Sequence, residues 1–227
     1  MPALAATAVE LPGRDRARIY VASAPLTNSQ FLELMREARL SNGPRGHYLL
    51  VNEYNPFLAI HRDAQSNELS VRAGFEDHPV CGVCWRGAML VAAAAGARLP
   101  TEAEWEWFAA AGDRTRRYPW GDAAPEPGLA NFGEHVGGTT PVGEYPPNPW
   151  GMVDLAGNAG EWCQDPWPRD QRPGTLTARV IKGGSWNKPE ELLAIPSRRV
   201  KWGGIGTVGI GVRLVWDGPS TAREGIA

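Results

Sequence analysis

Three acids lie close together in the stretch 148–165, which reads Asn-Pro-Trp-Gly-Met-Val-Asp-Leu-Ala-Gly-Asn-Ala-Gly-Glu-Trp-Cys-Gln-Asp. Asp154, Glu161 and Asp165 are spaced so that their oxygens and the neighbouring carbonyls can converge on one hard cation. Gly151, Gly157 and Gly160 admit backbone angles other residues avoid. Trp150 and Trp162 supply buried anchors, and neither a helical nor a strand period runs through the stretch. It is expected to be a shaped loop. A second set, Cys81-Gly82-Val83-Cys84, has redox or zinc spacing. It lacks two further zinc ligands and the helix-start setting of a thioredoxin-like pair. Buried, inert thiols are the expectation there and at Cys163. The histidines His47, His61, His78 and His135 are scattered. His61 with Asp63, and His135 with Glu134, would make a two-histidine, one-carboxylate iron site only if folded together.

The remaining composition narrows the function classes. A formal charge of -2 supplies no field for nucleic acid or acidic membranes. No run of about 18 apolar residues is present, so no transmembrane helix is expected. Residues 1–11 show no basic start followed by an apolar core, which points to a cytoplasmic protein. Three cysteines make no disulfide framework, in keeping with a reducing compartment. Ten tryptophans occur alongside 27 glycines and 20 prolines. That mixture predicts an irregular fold in which large rings plug a core between turns. No Ser-His-Asp elbow, phosphate loop or dinucleotide glycine series is present.

Few regular elements are expected to position these groups. Thr27-Asn28-Ser29-Gln30 is a capping box, and Phe31, Leu34, Met35 and Ala38 follow at helical spacing, so a first helix is predicted over 28–38. Helices are also predicted over 86–95 and 102–111, the latter behind the capping box Thr101 to Glu104. Short strands are expected at 19–23, 48–51, 58–61, 69–71, 179–182 and 211–216, with a hairpin across 63–67. The order indicates an α+β chain: 1–18 a flexible lead-in, 19–217 one domain, 218–227 a tail.

A longer series of motifs runs through the chain in order. It comprises His78-Pro79-Val80, Arg98-Leu99-Pro100-Thr101-Glu102-Ala103-Glu104-Trp105, Tyr118-Pro119-Trp120-Gly121-Asp122, Asn148-Pro149-Trp150-Gly151, Gly157-Asn158-Ala159-Gly160-Glu161-Trp162, Gly183-Gly184-Ser185-Trp186 and Gly211-Val212-Arg213-Leu214-Val215. This series resembles the formylglycine-generating enzyme, or sulfatase-modifying factor, domain family, whose relatives include ergothioneine-pathway sulfoxide synthases and pyoverdine-maturation proteins. The resemblance covers roughly residues 19–216. It implies a single irregular C-type-lectin-like domain with little regular secondary structure.

The same resemblance separates this chain from the family's copper chemistry. Copper-dependent members carry two cysteines just after the Gly-Gly-Ser motif, and soft thiolates are what copper(I) requires. The matching positions fall near Lys188 and Leu193, so copper is not expected. Iron-dependent members draw histidines from an extra N-terminal helical bundle. Only 18 residues precede the first expected strand, without a His-rich motif, so iron belongs only to an alternative oxidase or oxygenase reading. The resemblance carries structural calcium ligands onto Asp154, Gly157, Ala159 and Glu161, the middle two through their carbonyls. A second calcium site at Asn131 and Phe132 lacks its downstream acid. The active groove of the family maps onto Ser185, Trp186, Asn187, Lys188, Arg198, Arg199, Lys201 and Trp202. Two tryptophans beside several cations suit an anion, a peptide or a flat ligand. The resulting expectation is a family member without formylglycine-generating activity, a pseudoenzyme that binds a peptide, protein or small-molecule ligand through Ser185, Trp186, Asn187, Arg198, Arg199 and Trp202.

Overall fold

A computed structural model describes residues 4–12, 18–40, 55, 58–63, 65–66, 68–167, 178–204 and 206–218. Three helices and nine short strands make up its regular part. β1 (Ala6–Glu10), β2 (Arg18–Ala22) and β9 (Val215–Trp216) form an antiparallel sheet in the order β1-β2-β9. β3 (Ile60–Arg62) and β4 (Leu69–Val71) form the expected hairpin, its turn held by Asp63 Oδ1, which accepts from the Gln65 and Ser66 amides. The third sheet runs β7-β6-β5-β8, from β5 (Gly160–Trp167), β6 (Ala178–Lys182), β7 (Arg199–Trp202) and β8 (Ile210–Gly211). Only β5 and β8 are parallel in it.

Both predicted capping boxes form. Thr27 Oγ1 accepts from the Gln30 amide and Gln30 Oε1 from the Thr27 amide, opening α1 (Asn28–Glu37). Thr101 and Glu104 repeat the exchange at α3 (Glu102–Ala109). These bonds satisfy amides that a helix start leaves without partners. α2 (Trp85–Ala94) is capped instead by sulfur: the Gly87 amide donates to Cys84 Sγ at 3.3 Å.

The tryptophans act as the composition suggests. Several rings fill the interior, and their indole N–H groups secure distant carbonyls, the pairing a buried indole needs. Trp162 donates to Val83 O at 2.9 Å, Trp216 to Ala95 O at 3.1 Å, and Trp85 to Cys163 O at 2.9 Å. At the centre, Glu161 on β5 accepts from Trp105 Nε1 at 2.6 Å and from Arg213 Nε and Nη2 at 2.9 and 2.8 Å. Arg213 also donates to Ala22 O and Val153 O, so one guanidinium joins the first sheet, β5 and the loop before it. Trp105, Glu161 and Arg213 are all buried.

Three expectations change. Within the expected lead-in, residues 6–10 form a strand: β1 pairs with β2 over five positions, and Trp107 Nε1 donates to Glu10 O at 2.8 Å. The stretch 148–165 is a loop only as far as Ala159, because β5 begins at Gly160 and lies between two partner strands. The single last strand is split into β8 and β9, with the inward-turned Arg213 between them. The strand expected over 48–51 and His47 lie outside the described residues.

Candidate functional site

The turn Gly183-Gly184-Ser185-Trp186 follows β6 and starts the site. Gly184 has φ 73°, and a Cβ there would meet Leu193 Cδ2 at 2.8 Å, so only glycine lets the turn close on that leucine. Ser185 is buried and donates from Oγ to Asn187 Oδ1 at 3.0 Å. It thereby orients Asn187. The Trp186 amide is tied to Asn158 O and the Lys188 carbonyl accepts from the Gly133 amide.

Two cavities flank this turn. One, of about 510 Å³, is lined by Asn187, Lys188, Arg199, Lys201 and Thr207 among others. The other, of about 270 Å³, is lined by Trp186, Phe75, Cys81, Pro79 and Leu58 among others, and Val208 borders both. Of the six groove residues expected from sequence, Asn187 and Arg199 line the first and Trp186 the second. Arg198 and Trp202 line neither. Arg198 forms an ion pair with Glu102 and stacks over Trp167 with 4.6 Å to the ring centroid. Trp202 is 55% exposed. Side chains alternate along β7, so Arg199 and Lys201 are the more buried pair while Val200 and Trp202 are exposed.

Arg199 is the unusual charge in the site. Nη2 donates to Gly184 O at 2.8 Å, but Nε is buried without an acceptor. Its guanidinium occupies the space where a side chain on Gly160 would project. Burial pushes it down to about 10. Burial pushes the Cys81 thiol up to about 12, which leaves it neutral at physiological pH.

Cysteine sulfur is otherwise remote from the turn. Leu193 is fully buried with Tyr118 and Phe132 in an apolar cluster. Cys84 caps α2, and Cys163 sits in the core beside Trp105 and Phe108, its thiol raised by burial. Both cysteines of the pair are buried, as expected, and Cys81, packed with Leu58 and Ala159, also borders a groove cavity.

The calcium set divides. Asp154, Gly157 and Ala159 lie on the loop before β5 and Glu161 on β5 itself, with Gly157 held close to Asn131 by a contact that leaves no room for a Cβ. Asp154 Oδ2 accepts from the Gly143 amide at 2.7 Å, whereas its Oδ1 is buried without a partner. Burial raises the Asp154 carboxyl. Asn131 Oδ1 and Thr140 Oγ1 are buried without partners too. All three residues interact with Asn158, whose side chain bonds both main-chain groups of Thr140. Buried oxygens without donors call for a water or an ion. Glu161, in contrast, has both carboxylate oxygens engaged by Arg213 and Trp105, so it does not fit as a ligand.

The histidines and carboxylates that would make an iron site only if folded together are not brought together. His61 Nε2 bonds Ser70 Oγ on the β3-β4 hairpin, and His135 packs edge-on to Phe132. His78 Nδ1 bonds Thr139 Oγ1 at 2.9 Å, and burial lowers its ring's proton affinity. Among the described residues no group of three or more His, Cys, Asp or Glu side chains is placed to hold a metal ion. Nor is any helix among them long and apolar enough to cross a membrane.

Comparison with known proteins fits this architecture. The serine/threonine-protein kinase pkn1 of Chlamydia pneumoniae is 37% identical over 190 residues, 77% of this chain and 29% of that one. A hercynine oxygenase of Mycolicibacterium thermoresistibile is 40% identical over 172 residues, 66% of this chain and 38% of that one. The chain thus spans well under half the length of these curated relatives. The crystal structure of CarF superposes with a TM-score of 0.68 at 21% identity, covering 94% of this chain and 98% of that one. Residues 13–218 match the model of the sulfatase-modifying factor enzyme 1-like domain, and with the mixed sheets and few helices described above, this chain belongs to that family.

Proposed function

We propose that the protein has lost the copper oxidase chemistry of its family and acts as a binding or accessory module through the groove beside Gly183-Gly184-Ser185-Trp186. The observation that carries this reading is the content of the turn after that motif. Copper(I) needs a pair of thiolates there. Lys188 lines a cavity in one of those positions, and Leu193 is sealed in an apolar cluster in the other. Cys81 borders the groove as a single protonated thiol, which is a poor ligand and a poor nucleophile. The C-type-lectin-like description of the fold belongs to this reading, since that architecture presents variable loops for ligands. The ligand is a peptide, a protein segment or a small molecule. The test is incubation of copper-loaded protein with a cysteine-containing sulfatase peptide, followed by aldehyde detection. The reading requires that the peptide remain a thiol; aldehyde formation above a protein-free control would overturn it.

A divergent metal-dependent oxygenase is the second reading, favoured by the hercynine oxygenase relative. Its metal would be held by histidines and carboxylates rather than cysteines. Stoichiometric iron in the purified protein, lost on His61→Ala or His135→Ala, would establish it.

Calcium enters as a structural ion at the Asn158 turn, through Asp154 Oδ1 and the carbonyls of Gly157 and Ala159. The donorless buried oxygens of Asp154, Asn131 and Thr140 support it. Glu161 stays with Arg213 in this arrangement.

A further inference from the structure

We propose that the groove recognises an oxyanion, a carboxylate or a phosphate, held by Arg199, Lys188 and Lys201 with Asn187, while an adjoining apolar group of the same ligand lies against Trp186 and Val208. The inference rests on the groove reading above and adds the chemistry of what enters.

Three cations line the larger cavity, and no carboxylate is among its lining residues. None of the three is ion-paired to a side chain among the described residues, although the chain as a whole is slightly acidic. Arg198, the next residue, shows the contrast, because it pairs with Glu102. A half-buried guanidinium without a counter-charge is costly unless something compensates it. Arg199 persists there, fixed by Gly184 O and accommodated by the missing side chain of Gly160. Asn187 adds a directed donor. Its Oδ1 is occupied by the Ser185 hydroxyl, which leaves Nδ2 as the free end of the amide. Three cations and an amide donor with no carboxylate among them form a lining that favours an anion over a cation or a neutral amide.

The second cavity gives the ligand its other half. Phe75, Pro79, Leu58 and Trp186 give it an apolar wall, with Arg72 lying over the Phe75 ring at 3.8 Å to the centroid, and Val208 joins it to the cationic one. Cavities of about 510 and 270 Å³ are of the size that takes small organic ligands or a few residues of peptide.

Calorimetric titration with 3-phenylpropionate, phenyl phosphate and neutral 3-phenylpropanamide tests this. The acids bind and the amide binds at least tenfold more weakly. The tighter acid identifies carboxylate or phosphate as the group recognised. Arg199→Gln weakens acid binding by about 10- to 100-fold, the loss expected for charge-assisted hydrogen bonds. It also unfolds no earlier than the wild type without anion, since an uncompensated buried cation is removed. Lys201→Gln, at a more open position, weakens acid binding without a change in stability. Equal binding of acid and amide, acid affinity unchanged in both variants, or no binding of either acid overturns the inference. Aldehyde formation from the sulfatase peptide would sink the parent reading and leave the oxyanion result standing.

Discussion

Replacing Glu161 by glutamine would strip the counter-charge from the most buried cation in the protein. Arg213 and Glu161 are 0% and 1% exposed. Glu161 accepts from Arg213 Nε and Nη2 and from Trp105 Nε1, all within 3.1 Å. Arg213 holds Ala22 O and Val153 O through its other hydrogens. Glutamine keeps the shape but turns one acceptor into a donor facing the guanidinium. Breaking one side of a buried pair costs about 3–5 kcal/mol. For a domain of this size each kcal/mol moves the melting temperature by about 2–4 °C, so the midpoint falls by roughly 6–20 °C. Urea unfolding followed by tryptophan fluorescence gives the free energy. The double variant Glu161→Leu/Arg213→Met recovers most of the loss, because the orphaned charge goes with its partner. A loss below about 1 kcal/mol, or a double variant as weak as the single one, would refute the reasoning. Calcium gives a further check: chelation leaves the Glu161→Gln penalty unchanged if the carboxylate serves Arg213.

Other perturbations test separate parts of the structure. Thr101→Ala removes one half of the second capping box and lowers stability by about 1 kcal/mol, read from the urea midpoint. Gly157→Ala forces a φ of 79° on a residue with a Cβ and drives that carbon into Asn131 O. It destabilises by more than the roughly 1–2 kcal/mol of backbone strain alone, and thermal unfolding measures it. Burial alone would raise the Glu104 carboxyl, but hydrogen bonds from Arg98 and Thr101 more than offset this and hold it below its ordinary value. Its contribution is present above the unfolded carboxylate value and is lost as pH falls through the folded one. Wild-type stability therefore declines below about pH 4, and Arg98→Gln flattens that acid limb in a melting series. Calcium raises the melting temperature of the wild type, and Asp154→Ala abolishes the shift.

Local chemistry was legible in the sequence where one short motif determined the outcome. Both capping boxes and the Asp63 hairpin formed because their partners lie within three residues. β1 escaped because Ala-Thr-Ala-Val-Glu has one buried position, Val9, and pairs through backbone rather than packing. β5 escaped because a central strand is buried on both faces and carries no alternation over Gly160 to Cys163. At the site, residue types were readable but directions were not. Arg198 and Arg199 are neighbours in sequence, yet strand alternation turns one to Glu102 and the other into the cavity. Cys81 and Val208 join the groove through contacts between distant segments, which no spacing announces.

The absence of a copper(I) thiolate site is tested most directly by titrating the reduced protein with copper(I) in competition with a chromogenic chelator. The chelator should retain the copper, with Cys81→Ser indistinguishable from the wild type. One equivalent of copper(I) held by the protein and released in Cys81→Ser would contradict the account.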